Sequence, residues 1–574
     1  MISRQVLLCL LLPPSILKAS TDSEKAPPNI VIILTDEERF LPPNEEGNPE
    51  IQEFFRTQLP ARTHLMKSGI QFRQHYIASS ACSPSRASLF TGHYPPVHGL
   101  DQTFLVAKTA TDPSVKWLRP KEIPTLGDMF RASGYRTVYK GKWHISNEVL
   151  TDENGYPVQT VGKDAQPIYE NEARYLEANL LDKFGFEGWV GPEPHALEEQ
   201  YLGRSTDPNY ARQASDWIKN YDKSDSKKPF LLVTSLVNPH DICFYMATCA
   251  RRQTLRDSTV PTIPVSPSLH DSLIHKPAVQ KQYRDVQKLM ALPFPGLWDY
   301  FYHDQEKLLG YYYYLMKKVD SDMGLVLKTL SESSFKDNTI ILWTSDHGDV
   351  LGAHGGIQQK WHNAYQEVVH VPMVLAGEPV RQMSKKSVIT DLSNHIDIIP
   401  TLTALAGIDM KRLHRKLRQT HSRVLWPLPG RDLSPVFANQ NSEKTFSDSA
   451  VYFRTDDEIT VGPFRTPMLY RFYLPTVLYP WLSMYPEVRG ASHIETVIDR
   501  IDGVLFKLSR YFDPQGIVDD QWEWYDLDRD PYELINRKPD QLIFPILKKR
   551  LESKRQMVID RYTRSPGSPL HSKL

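Results

Sequence analysis

The sequence predicts an α/β fold, a mostly parallel sheet flanked by helices, joined to a smaller C-terminal α/β domain with an antiparallel sheet. Three observations carry that reading. Asn29–Leu34 (NIVIIL), Phe230–Leu236 (FLLVTSL) and Thr339–Thr344 (TIILWT) are short, unbroken apolar runs rich in β-branched residues, the pattern of strands buried on both faces. From about His303 to Leu330, Leu308, Leu309, Tyr312, Leu315, Val319, Met323 and Val326 recur at helical spacing, giving a helix long enough to cover such a sheet. Beyond about Gln440 the character changes to short alternating runs, Ala450–Tyr473 and Gly503–Tyr511, bounded by turn residues.

The other elements follow in chain order. Ala61–Gly69 has helical spacing and leads into an extended Ile70–Tyr76. Within Ala81–Gly92, Pro84 fixes its own φ and biases Ser83 away from the α region, so a helix is expected over Ser85–Leu89 with its N-terminus facing an anion. Thr125 is placed to cap a helix through Phe130, and Tyr135–Lys140 reads as a strand. Thr151–Asn220 is polar and interrupted by Gly and Pro, a substrate-facing insertion with one helix from Asn209 to about Tyr221. Arg251–Pro295 is Pro-rich and reads as a long irregular loop. Tyr311 to Tyr314 straddle the core and surface sides of the long helix, and Val371–Leu375 is a further strand. A helix from about Asp540 to Arg561 is expected to pack on the C-terminal sheet. The division is then a leader at 1–20, a main domain at 27–439 and a C-terminal domain at 440–574.

In open α/β sheets ligands sit beyond the carboxyl ends of the strands. The first strand ends in Thr35-Asp36-Glu37-Glu38, which places Asp36 and Glu37 where a hard cation such as Ca²⁺ or Mg²⁺ is held. His93 and His98 fall in a Pro/Gly-rich loop and receive no role.

The stretch Ala81–Gly92 reads ACSPSRASLFTG. Its cysteine, the proline two later, the arginine four later and the trailing Thr91-Gly92 resemble the signature of the sulfatase family. In that family the cysteine is oxidised after translation to formylglycine, whose hydrate offers one hydroxyl to attack sulfur and a second whose deprotonation releases sulfate. The resemblance implies that Cys82 is the nucleophile's precursor and that Arg86 holds nucleophile and sulfate together. Gly141-Lys142-Trp143-His144 resembles the family's G-K-W-H, in which the lysine touches formylglycine and sulfate and the histidine acts as base. His240, after the second strand, matches the histidine on the leaving-group side, and Lys360 matches a second sulfate-binding lysine. Ser345-Asp346-His347-Gly348-Asp349 resembles the second metal segment. The implied metal ligands are therefore Asp36, Glu37, Cys82 as formylglycine, Asp346 and His347. Glu37 departs from the usual second aspartate.

Asn394–Leu402 resembles the family's helix start that closes the main domain, and Trp522–Leu534 its C-terminal segment, so the resemblance runs from Asn29 to about Leu534. It implies a formylglycine-dependent sulfuric ester hydrolase of the alkaline-phosphatase-like superfamily with a large mixed sheet. Ca²⁺, or Mg²⁺, would be the cofactor and a sulfated small molecule or saccharide the substrate. A formylglycine-generating enzyme would be the maturation partner. A phosphate or phosphonate monoester hydrolase would use nearly the same constellation, and a catalytically inactive binding protein would keep the fold without the modified residue.

Composition bounds the remainder. The 574-residue chain has a formal net charge of zero, without the basic excess of a nucleic-acid binder. Met1–Ser20 pairs Arg4 with the apolar run Val6–Leu12 and ends in Ala19-Ser20, which reads as a secretory leader too short to span a bilayer. Secretion or another extracytoplasmic location, with no stable membrane insertion, is the expectation. Of the four cysteines, Cys9 falls in the leader, and Cys243 and Cys249 either pair or remain thiols.

Overall fold

The computed structural model describes residues 26–104, 108, 110, 112–194, 198–226, 228–245, 257–291, 304–438, 449–458, 488 and 490–563. The leader, Cys249 and most of Ala450–Tyr473 lie outside the described residues. The main sheet has seven strands in the order β4-β5-β1-β6-β7-β2-β8. They are β1 (Asn29–Asp36), β2 (Ile70–Phe72), β4 (Arg136–Gly141), β5 (Phe230–Pro239), β6 (Thr339–Ser345), β7 (Met373–Ala376) and β8 (Val388–Ile389), while β3 (His75–Tyr76) pairs separately with β9 (Ser393–Asn394). β4, β5, β1 and β6 run parallel, and β7 joins β6 antiparallel, which gives the mixed, mostly parallel sheet expected from the three apolar runs.

The unbroken apolar pattern has its cause in burial on both faces. Ile30, Ile32 and Leu34 pack with Leu231, Val233, Ile340 and Leu342 under the helix Cys82–Thr91, whereas Val31 and Ile33 face Ala211, Ala214, Ile218, Val319, Met323 and Val326. The latter belong to the helices Gly203–Asp222 and Gln305–Ser331, which cover that second face. Gly141 closes β4 because a side chain there would collide with the Ser235 carbonyl of β5, 1.9 Å from its Cβ position.

Three expectations from local sequence need correcting. The helix at the cysteine motif opens at Cys82 and not at Ser85; Pro84 is its third residue, where no intrahelical N–H is required. The helix read from Asn209 begins at Gly203, because the carboxylate of Asp241 accepts the amides of Gly203 and Arg204 at 2.9 and 3.1 Å and caps it from a distant segment. Within Arg251–Pro295, Ala278–Ala291 is a helix that buries Val279, Tyr283 and Val286; the prolines flank it and do not interrupt it.

A separate antiparallel sheet follows, β10 (Val451–Thr455), β11 (His493–Ile501), β12 (Val504–Phe512) and β13 (Gln521–Asp526), in sequential order. Tyr452, Val497, Leu508 and Trp524 meet Leu547, Leu551 and Val558 of the helix Ile543–Thr563 on one face. Val451, Phe453, Ile494, Ile498, Tyr511 and Tyr525 meet Tyr365, Val368 and the helix Ala278–Ala291 on the other. β11 is absent from the sequence reading because its inward Glu495 and Asp499 break the apolar pattern; Arg454, Arg510, Arg550 and Arg555 neutralise them. No helix among the described residues is long and apolar enough to cross a membrane.

His493, at the start of β11, lies 2.9 Å from the Asp456 carboxylate and 3.5 Å from Glu458. Burial alone would lower its pKa, but those carboxylates hold it at about 9, above its ordinary 6.5. A raised histidine contributes stability that is complete below 6.5 and is lost as pH rises through about 9, roughly 3 kcal/mol at most. Thermal melts should therefore fall between pH 6.5 and 9 in the wild type and flatten over that window in His493→Gln; an unchanged slope in the variant would exclude His493 as the source.

Candidate active site

Because β1, β4, β5 and β6 are parallel, their carboxyl ends open on one edge of the sheet, and each delivers a polar residue there. Asp36 is the last residue of β1, Lys142 follows β4, His240 follows β5 and Asp346 follows β6. The helix Cys82–Thr91 arrives over this edge with Cys82 as its first residue, and Gly92, at φ 70°, closes it with a left-handed cap.

Asp36, Cys82, Asp346 and His347 are buried and each brings one potential ligand atom to within 4.8 Å of the others. Cys82 Sγ lies 3.1 Å from His347 Nε2 and 4.0 Å from Asp36 Oδ1. His347 Nδ1 donates to the Gly348 carbonyl at 2.9 Å, which turns Nε2 toward the cluster. Burial and Asp346 push Asp36 up, yet Lys142, His240 and His347 hold it below the ordinary carboxylate range. Burial opposes ionisation of Asp346 too, and His347, Arg86 and Lys142 hold it at about 2. Two ionised carboxylates, an imidazole nitrogen and the residue-82 side chain make a donor set that fits a divalent cation. The Cys82 thiol is pushed up to about 11 by burial, against the pull of Lys142 and Lys360, so it stays protonated at neutral pH.

Arg86 is fully buried and its guanidinium is used by the protein frame. Nε donates to the Trp143 carbonyl at 3.0 Å and Nη1 to Asp346 Oδ2 at 3.0 Å; Nη2 donates to Tyr139 Oη, the Lys142 carbonyl and Ser235 Oγ. One side chain thus ties the ends of β4, β5 and β6 to the motif helix. Lys142 Nζ contacts Asp36 Oδ2 at 2.5 Å.

Glu37 does not turn into the four-residue cluster. Its Oε2 faces Lys360 Nζ at 2.9 Å, Cys243 Sγ at 3.0 Å and His240 Nε2 at 3.8 Å, a second group beside the first. Glu37 stands at φ 68°, and its amide donates to Asp346 Oδ1 at 3.2 Å, which fixes the backbone while the longer side chain leaves for Lys360. Burial raises the Glu37 pKa well above its ordinary value, with Lys360 opposing and Asp349 adding to it. Cys243 is a thiol in this second group. His144, at φ 61°, stands at the turn after Trp143 with its ring edge-on to Phe104 at 4.7 Å.

Sequence reasoning missed the groups that hold these residues. Glu193 Oε1 accepts the amides of Trp143 and His144 at 3.1 and 2.8 Å and so fixes the lysine-to-histidine turn. Asp457 Oδ2 accepts from Ala81, Thr103 and Trp361 at 3.4, 3.2 and 3.1 Å, and Arg454 donates its amide to the Ala78 carbonyl at 3.0 Å. Neither acid sits in a motif. Their signal lies in spatial pairing across 49 to 376 residues.

The family model described as Sulfatase matches residues 28–408. The chain belongs to the sulfatase family. This sulfatase is 25% identical over 422 residues to an ulvan-active sulfatase of Formosa agariphila, covering 73% of this chain and 67% of that one. It is 24% identical over 509 residues to a Delta 4,5-hexuronate-2-O-sulfatase of Bacteroides thetaiotaomicron, covering 87% and 82%. Among solved structures, a 2-O GAG sulfatase superposes with a TM-score of 0.58 at 20% identity over 94% of this chain and 92% of that one. A phosphonate monoester hydrolase of Silicibacter pomeroyi superposes with the same TM-score of 0.58 at 16% identity, over 94% and 96%. These superpositions show the fold; family membership makes the chain a sulfuric ester hydrolase.

Arg86→Lys removes the planar fork and leaves buried acceptors on three strand ends unpaired. We expect a destabilisation of about 3–5 kcal/mol together with loss of most activity. A variant melting at the wild-type temperature with near wild-type turnover would show that the frame does not depend on the guanidinium.

Proposed function

We propose that this sulfatase removes sulfate from a sulfated carbohydrate, with Cys82 matured to formylglycine. The divalent cation, Ca²⁺ or in its place Mg²⁺, would be held by Asp36, Asp346, His347 and the oxidised side chain of residue 82. The observation that carries the reading is the convergence of Asp36, Cys82, Asp346 and His347 in one buried cluster. The carbohydrate is supported by the relatives named for ulvan and for hexuronate 2-O-sulfate.

When bound, the cation polarises a sulfate oxygen and favours ionisation of the residue-82 hydroxyl. Lys142 and Lys360, each beside a carboxylate they can exchange for an ester oxygen, neutralise the sulfate where charge develops. His144 takes a proton from the residue-82 side chain, and His240 gives one to the leaving oxygen. Arg86 and Glu193 act as positioning residues. On the same reading the leader 1–20 directs export, a formylglycine-generating enzyme matures Cys82, and residues 27–439 and 440–574 are the catalytic and C-terminal domains.

The phosphate and phosphonate ester reading is tested with it. Mass analysis of the peptide containing Cys82 should show aldehyde in place of thiol in active preparations. Turnover should be lost to a chelator, restored by Ca²⁺ or Mg²⁺, and faster on the sulfate than on the phosphate ester of one leaving group. Full activity from unmodified Cys82, or a preference for phosphate, would overturn the proposal. The two histidines separate by leaving group. His240→Ala should slow alkyl and sugar sulfates far more than activated aryl sulfates, whereas His144→Ala should slow all of them alike. The opposite pattern would exchange their roles.

A further inference from the structure

Outside the four-residue cluster, Glu37, His240 and Cys243 also bring one donor atom each to within 4.8 Å of one another. Cys243 Sγ and His240 Nε2 lie 3.0 and 3.8 Å from Glu37 Oε2. Bonds of roughly 2.0–2.3 Å place the ligands of a tetrahedral Zn²⁺ about 3.3–3.8 Å apart, so the three atoms need side-chain adjustment only. Thiol, imidazole and carboxylate together are a Zn²⁺ set, in contrast to the harder donors next door. His240 and Cys243 share the short turn His240–Phe244, which Asp241 anchors to the helix Gly203–Asp222 through two backbone amides. Both ligands are therefore presented on one fixed turn opposite the end of β1.

A second observation points to a cation. Glu37 Oε1 is buried with no donor in hydrogen-bond geometry, and the Asp349 side chain beside Glu37 raises its pKa further through its charge and a carboxyl–carboxyl contact. The positive group now facing this trio is Lys360, whose Nζ is 2.9 Å from Glu37 Oε2 and 3.6 Å from Cys243 Sγ. A bound metal ion and this ammonium compete for the same two atoms.

We propose that Glu37, His240 and Cys243 form a second metal site, taking Zn²⁺ or a similar borderline cation, whose occupation displaces Lys360 and inhibits the enzyme. Binding forms one bond each to Sγ, Nε2 and Oε2 and releases the thiol proton to solvent. The binding stands on the geometry alone; the inhibition rests on the readings of Lys360 as a sulfate-holding residue and of His240 as the acid for the leaving oxygen.

Two measurements keep these apart. In the first, matured, Ca²⁺-loaded enzyme is titrated with Zn²⁺. Cys243→Ser should retain uninhibited turnover and raise the half-inhibitory Zn²⁺ concentration at least about tenfold, since even second-sphere changes cost that much; Cys249→Ser should not. In the second, Co²⁺ is added to Cys82→Ser protein, where Cys82 cannot contribute. A thiolate-to-cobalt charge-transfer band should appear, saturate at one Co²⁺ per chain and vanish on adding Cys243→Ser. Absence of the band, or its persistence without Cys243, overturns the site. A band that saturates while Zn²⁺ leaves turnover untouched establishes the site and overturns the inhibition together with the Lys360 and His240 readings it rests on.

Discussion

Mutual neutralisation of charges buried beyond the ends of four parallel strands is the constraint on which this structure turns. Arg86, Lys142 and Lys360 are shielded from solvent, as are Asp36, Glu37 and Asp346. Each such ion costs several kcal/mol to bury unless a partner meets it. The partners interlock: Asp36 meets Lys142 and Arg86, Asp346 meets Arg86, and Glu37 meets Lys360. Only a parallel arrangement delivers these residues to one edge, since an antiparallel strand would carry its terminal residue to the other end of the sheet. Removing any one member strands a charge in the interior, so on the proposed reading folding and chemistry would be lost through the same residues.

What could be read from sequence follows from the same physics. β1, β5 and β6 were legible because burial on both faces leaves an unbroken apolar signal, and the placement of Asp36, His240 and Asp346 at one sheet edge because each ends or directly follows such a run. β11 was illegible because its buried Glu495 and Asp499 look like surface until their arginine partners are in place. The start of the helix at Gly203 depends on Asp241, and the path of Glu37 depends on Lys360, 323 residues away. No local pattern carries such information. Glu37 illustrates the limit well: its position after β1 suggested a metal ligand, but the extra methylene lets its carboxylate reach a different cation.

The second sheet contributes to the site without supplying a reacting group. β10 bonds to the segment immediately before Cys82: Arg454 through the Ala78 carbonyl, Thr455 through the Ser80 carbonyl, and Asp457, just beyond the strand, through the Ala81 amide. The first residue of the motif helix is thus held from behind by a strand some 370 residues downstream. Loosening the sheet shifts residue 82 against the ends of β1 and β6, which a reaction sensitive to small displacements does not tolerate.

The three cations divide their work by side-chain type. The donors of Arg86 are committed to the frame, so it sets the positions of Lys142, Trp143 and Asp346 and cannot follow a ligand. Lys142 and Lys360 carry freely rotating ammonium groups, each held by a carboxylate. On the sulfatase reading an incoming ester takes over part of both contacts, and Asp36 and Glu37 are then left facing its oxygens. A sulfate monoester brings one negative charge into that company, whereas a fully ionised phosphate monoester brings two. Asp36, held ionised beside Lys142, therefore repels the second charge in a low-dielectric pocket. On the proposed reading, discrimination between the two esters would reside in how the buried cations are already engaged, a property of the site that the superposed fold does not carry.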